Sequence, residues 1–83
     1  MEERIGIVEH FFDRVGVAAV KLAAPLRRGE MVHIKGHGTD FTCTVDSLQI
    51  DRKDVAEAKA GDDVGFPVPE RVREHDEVYR VYE

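Results

Sequence analysis

At 83 residues the chain is the size of one small domain, and 42% of it is apolar against 35% charged, a balance that excludes a disordered chain. Its 17 acidic residues outnumber 12 basic ones for a net charge of -5, which argues against the broad basic field that grips nucleic acid without sequence preference. A lone cysteine, Cys43, rules out an internal disulfide; no apolar run reaches the ~20 residues of a membrane span, and Met1-Glu2-Glu3-Arg4 leads into no signal-peptide core, so a cytoplasmic chain away from membranes is expected.

Residues 4–13 predict a first strand. Ile5, Ile7, Val8, Phe11 and Phe12 place apolar groups on both of its faces, as in a central or bent strand. Asp13-Arg14-Val15-Gly16 predicts a hairpin turn. A second strand follows over 17–23, with Ala18, Val20 and Leu22 on one face and Lys21 on the other. Residues 24–29 read as a loop. The third strand, 30–36, has the cleanest alternation in the chain: Val32 and Ile34 inward, Met31, His33 and Lys35 outward. Gly36-His37-Gly38 is a tight turn that needs positive φ at one or both glycines.

A long fourth strand is expected over 39–52. Phe41, Cys43 and Val45 share one parity, and Leu48 and Ile50 the other. Keeping both sets in the core requires a one-residue slip near Asp46 and Ser47, which predicts a β-bulge at a barrel corner. Residues 53–60 have helical propensity but are too few for a stable helix, so a turn or one loose helical turn closed by Gly61 is expected. Val64, Phe66 and Val68 point inward from a fifth strand over 63–68, with Pro67 on its outer face. Residues 70–76 form a charged loop, and 77–82 a last strand. Phe11, Phe12, Phe41 and Phe66 are assigned to the core, and of Tyr79 and Tyr82, on opposite faces, at least one to the surface. The pattern is one all-β domain spanning 1–83, a small six-stranded antiparallel Greek-key barrel.

The run Leu26, Gly29, Val32, Ile34, Gly36, followed by Val45, Leu48 and Ile50 and then Glu57-Ala58-Lys59-Ala60-Gly61-Asp62-Asp63-Val64-Gly65, resembles domain 2 of elongation factor Tu and its relatives. The resemblance covers nearly the whole chain. It implies a translation-factor-like barrel standing without its GTPase. No G-x-x-x-x-G-K-[ST] loop is present, so no GTP binding is expected.

In elongation factor Tu a strand of domain 2 helps hold the 3′ adenosine of tRNA. The matching residues here are Gln49-Ile50-Asp51-Arg52, and the resemblance offers Gln49 and Arg52 as RNA contacts, without the aromatic that would stack on a base. A second candidate RNA surface is His33, Lys35 and His37 on the outer face and turn of the third strand, joined by Arg27 and Arg28 from the preceding loop. Against both stands an ordinary solvated strand face, where basic residues also discourage edge pairing. A zinc site from His10, His33, His37 and Cys43 fits no ligand spacing. No nucleophile–base arrangement can be placed. No metal, cofactor or catalytic residue is therefore expected, and the chain is read as no enzyme. The leading expectation is a binding module for tRNA or ribosomal RNA in translation. The alternative is a protein-interaction or accessory barrel that docks on a larger enzyme, which an exposed apolar patch around Phe11, Phe12 or Met31 would favour.

Overall fold

Ten strands and no helix account for the regular structure of residues 1–82, which the structure, a computed structural model, describes. They are β1 (Glu2–Phe12), β2 (Val17–Leu22), β3 (Leu26–Arg27), β4 (Met31–Gly36), β5 (Thr39–Thr44), β6 (Gln49–Ile50), β7 (Lys53–Asp54), β8 (Glu57–Ala58), β9 (Asp63–Pro67) and β10 (Glu77–Val81). Eight form one sheet in the order β5-β4-β10-β1-β2-β9-β6-β7, and β3 pairs with β8 in a second. All pairings are antiparallel. The fold is thus a small all-β domain, but the strand order has two ends. Among the described residues, pairing does not close it into the six-stranded barrel that the alternation predicted.

The mixed pattern of the first strand has a local cause. β1 carries two irregularities, one against β10 between Arg4 and Gly6 and one against β2 between Val8 and His10. Each shifts the register and so exchanges which side chains face inward. Ile5 and Val8 are buried before the second shift. After it Phe11, opposite the buried Ala18, packs on the core, while Phe12 turns outward and is 50% exposed. The assignment of both phenylalanines to the core is corrected by this bulge. Gly6 is fixed by close approach, since a Cβ there would lie 2.7 Å from the Lys21 carbonyl oxygen.

The expected long fourth strand is two strands. β5 ends at Thr44 and β6 begins at Gln49. The predicted slip lies between them, yet it is a crossing and not a bulge. β5 pairs with β4 at one end of the sheet order, and β6 with β9 and β7 near the other. Val45 and Leu48 are both fully buried on the way across. Beyond β6, Asp51 and Arg52 adopt φ of 52° and 65° in the turn to β7, so Arg52 stands in a turn and not in a strand. The segment 53–60 is not helical: Lys53–Asp54 and Glu57–Ala58 are two short strands, the second paired with Leu26–Arg27, a stretch expected as loop. Tertiary pairing outweighs a propensity worth a few tenths of a kcal/mol per residue, roughly.

One core holds the strands together. Phe66, Ile5, Leu26, Ile34, Leu48 and Val78 are among its fully buried side chains. Val72 belongs to it too, at 1% exposure, although it comes from the expected charged loop.

Candidate functional site

The residues singled out from the sequence fall in three places. His33 and Lys35 lie on β4. Alternation puts them on the outer face of the sheet beside Tyr79 of β10, to which His33 is paired. Glu2 of β1 reaches across β10 to this group. His33 Nδ1 lies 2.6 Å from Glu2 Oε2 and its Nε2 2.5 Å from Asp40 Oδ1 on β5. Lys35 Nζ is 3.4 Å from Glu2 Oε1 and 4.4 Å from the centre of the Tyr79 ring. A neutral imidazole has one N–H, so two carboxylates on its two nitrogens call for the imidazolium. The hydrogen bond to Asp40, then that to Glu2, raise the His33 pKa above 6.5 against the opposing effect of burial. The cations of this face are therefore matched by carboxylates of the same molecule.

His37 lies in the β4–β5 turn and is exposed. Arg27 sits in the second sheet, its Nε 3.8 Å from Glu57 Oε2 and its backbone N–H bonded to Glu30 Oε1 at 2.7 Å. Arg28 follows it, exposed. Gln49 and Arg52 belong to the β6–β7 hairpin, where the Gln49 side-chain amide donates to Asp54 Oδ1 at 3.2 Å. The fold brings His33 and Lys35 together, with His37 at the end of their strand. Gln49, on β6, stands five positions from β4 by strand order, and Arg52 follows it in the turn. Among the described residues no group of three His, Cys, Asp or Glu stands together as a metal site.

A different region has the more constructed geometry. Residues 71–76 form a fastened turn against β1. The Asp76 carboxylate accepts the Arg73 N–H at 2.9 Å, and the Asp76 N–H donates to the Arg73 carbonyl at 3.1 Å. Val8 N–H donates to the Asp76 carbonyl and His75 N–H to the Val8 carbonyl, each at 2.8 Å. His75 is held at φ 75°, a conformation that few side chains tolerate. On one side of this turn is a shallow cleft lined by His10, Phe11, Asp13, Arg71, Val72, Arg73 and Glu74. His10 Nδ1 stands 3.8 Å from Glu74 Oε2, and its ring meets Phe12 edge-on with centroids 4.6 Å apart. Beyond it the hairpin tip projects Phe12 and Val15, 50% and 69% exposed. Apolar groups, a cleft and mixed charge thus adjoin at one end of β1. The sequence signal was the single valine inside a charged run and the aspartate just before the last strand.

No family model matches the sequence. Over 80 residues it is 40% identical to an uncharacterised protease of Methanocaldococcus jannaschii, a match that takes in 95% of this chain and 20% of that protein. The chain spans about a fifth of the length of that relative. The fold is that of the C-terminal domain of a Geobacillus thermoleovorans protein described as a U32 peptidase: the TM-score is 0.90 at 19% identity, covering 96% of this chain and 93% of the other. The selenomethionine form of that domain gives 0.87 at 20% identity, with 92% and 96% covered.

These likenesses lead to peptidase proteins. They correct the expected kinship with domain 2 of elongation factor Tu, and with it the translation role. The segment that carried the resemblance explains the error. Gly61 has φ 94°, and Asp62 accepts the Lys59 N–H on its carboxylate at 2.8 Å while its own N–H donates to the Lys59 carbonyl. Gly61 N–H then donates to the Leu22 carbonyl, and Leu22 N–H to the Asp62 carbonyl. The motif builds a turn and fastens it to β2. It reports local geometry and carries no information on a partner.

Proposed function

We propose that this chain is a non-catalytic accessory domain that docks on a larger enzyme of the kind its relatives name, a peptidase of the U32 type. The observation that carries the reading is the unequal coverage of the M. jannaschii match, 95% of this chain against 20% of the protease. A unit that matches so small a share of a protease is suited to a binding role. The exposed Phe12 and Val15 beside the His10–Glu74 cleft supply the docking surface. Adjoining apolar side chains left in water make a patch of the kind that marks an interaction surface. The same reading takes the eight-stranded sheet as a partly open Greek-key barrel wrapped around one core.

The test uses the remainder of the M. jannaschii protease, the part outside the matched segment, titrated with this chain in a calorimeter. Binding with a Kd of about 1–50 μM is expected, and Phe12→Asp should weaken it at least about tenfold. Absence of binding, or equal binding by the variant, would overturn the docking surface. Incubated with an unfolded protein substrate, the chain alone should produce no fragments, and cleavage would end the non-catalytic reading.

A further inference from the structure

The strand order ends at β5, which pairs with β4 alone among the described strands. The parity of the ladders shows which of its backbone groups are engaged. Met1 N donates to the Tyr82 carbonyl and Tyr82 N–H to the Met1 carbonyl, each at 2.9 Å, which makes them a hydrogen-bonded pair at the edge of the β1–β10 ladder. Such pairs recur at every second residue. Arg80 and Tyr82 therefore turn their backbone groups toward β1, and Tyr79 and Val81 turn theirs toward β4. Their register partners His33 and Met31 face β10, which leaves Val32 and Ile34 to bond β5. The partners of these two on β5 are Cys43 and Phe41. The bond from Val45 N–H to the Glu30 carbonyl, one step along the same register, has the same parity. Asp40, Thr42 and Thr44 consequently direct their N–H and C=O groups away from the sheet.

An edge of this kind is a template for another strand. β5 reads Thr-Asp-Phe-Thr-Cys-Thr, without the lysine or proline that commonly guards an edge. Its outer side chains, Asp40, Thr42 and Thr44, are exposed, whereas Phe41 is buried and Cys43 half-buried on the core side.

We infer that this edge pairs antiparallel with β5 of a second copy of the chain, about a two-fold axis through Thr42. The inference goes beyond the accessory-domain reading and stands without it. Its support is self-complementarity. In this register Thr42 meets Thr42 of the other copy and each Asp40 meets a Thr44, so no like charges oppose each other directly. The two Asp40 residues lie four positions apart along the ladder, about 14 Å, beyond the screening length of about 8 Å at physiological salt. Phe41 and Cys43 fall on the core side of both strands and extend one apolar surface across the axis. Three outward residues per copy make a short ladder, and each copy carries a net charge of -5. The dimer is accordingly weak, forms near about 0.1–1 mM, and gains from added salt, which screens the repulsion between the copies.

The test is sedimentation equilibrium from about 20 μM to about 2 mM at low and physiological salt. The mass should rise from 9.4 kDa toward twice that value, more readily at the higher salt. Thr42→Pro removes an outward N–H and leaves the bonds to β4 intact. It should stay monomeric throughout while keeping the wild-type circular dichroism. Should the proline disturb β5, Thr42→Lys provides the second variant, setting two lysines opposite each other across the axis. Amide exchange at Asp40, Thr42 and Thr44 should slow as the concentration rises. A wild-type chain that remains monomeric at the highest concentration overturns the inference, as does a Thr42→Lys variant that dimerises equally well.

Discussion

The Asp76 carboxyl group occupies the space that a side chain on Gly36 would need: a Cβ built on Gly36 falls on it, and stands 3.3 Å from the Asp76 Cα. Gly36 is the last residue of β4 and Asp76 the residue before β10, so the two strands meet with a buried acid filling the gap. Gly36 is glycine for room and not for a left-handed backbone, which in this turn belongs to Gly38 at φ 83°. Through Asp76 the contact sets the whole 71–76 turn and the cleft beside it.

Gly36→Ala should therefore be costly although it adds a single methyl. Overpacking and the displaced bond from Arg73 N–H together should lower stability by about 2–4 kcal/mol, read as a lower urea midpoint. Combining it with Asp76→Ala, which empties the space, should cost less than the sum of the two single changes. Additive losses would show that the two residues do not share that space.

The His33 cluster makes stability depend on pH, with a definite sign. His33 has a folded pKa above its ordinary 6.5. Its contribution is complete below about 6.5 and fades as pH rises through the folded value. Glu2 is shifted the other way, below 4.5, first by its hydrogen bond to His33. Its contribution is present above about 4.5 and fades as pH falls through its folded value. The cluster should thus be strongest between these two limits. Urea midpoints measured from acid to alkaline pH should decline on the high side, and His33→Gln should flatten that decline. A proton NMR titration should place the His33 midpoint above 6.5.

The sequence made the strands legible wherever strict alternation governed one buried face. Val32 and Ile34 are buried in β4 as the pattern required, as are Ala18, Val20 and Leu22 in β2. What it hid were register events. The slip between Val45 and Leu48 was visible, but a bulge and a crossing to the far end of the sheet leave the same parity change in a sequence. Nor could alternation tell Phe11 from Phe12 without the bulge in β1. The cleft region was overlooked because Arg71, Arg73 and Glu74 look like a solvated run. Only the buried Val72 and Asp76 show that the turn is pinned. The basic residues chosen on β4 were legible as outward, but their partners Glu2 and Asp40 come from 31 and 7 positions away, a distance no local pattern spans.

Cys43 should be a slow thiol. Burial, and then the charge of Asp46, raise its pKa above the ordinary 9.0, so less thiolate is present at neutral pH than in an unfolded chain. Alkylation by iodoacetamide near pH 8 should run several-fold slower than in urea, about tenfold as a guide. Equal rates in the two conditions would show that the folded chain neither shields the Cys43 thiol nor holds it protonated.

The register shift in β1 offers the sharpest distinction between side chain and backbone. Glu9 is the residue at the shift, exposed, and its carboxyl is raised above 4.5 first by a hydrogen bond shared with Asp63. Its side chain supports nothing in the core, so Glu9→Ala should change stability by no more than about 0.5 kcal/mol. Deleting Glu9 is a different change. It removes the extra residue and restores simple alternation past Val8, which leaves His10 outward, Phe11 inward and Phe12 outward, each opposite its present partner on β2. No core side chain changes face, so the cost is limited to the lost bend and extra twist of β1 and should stay at about 1–2 kcal/mol. Thermal unfolding followed by circular dichroism separates the two outcomes. A deletion variant that fails to fold would mean that the bend the extra residue gives β1 is itself required to close the core around Phe11.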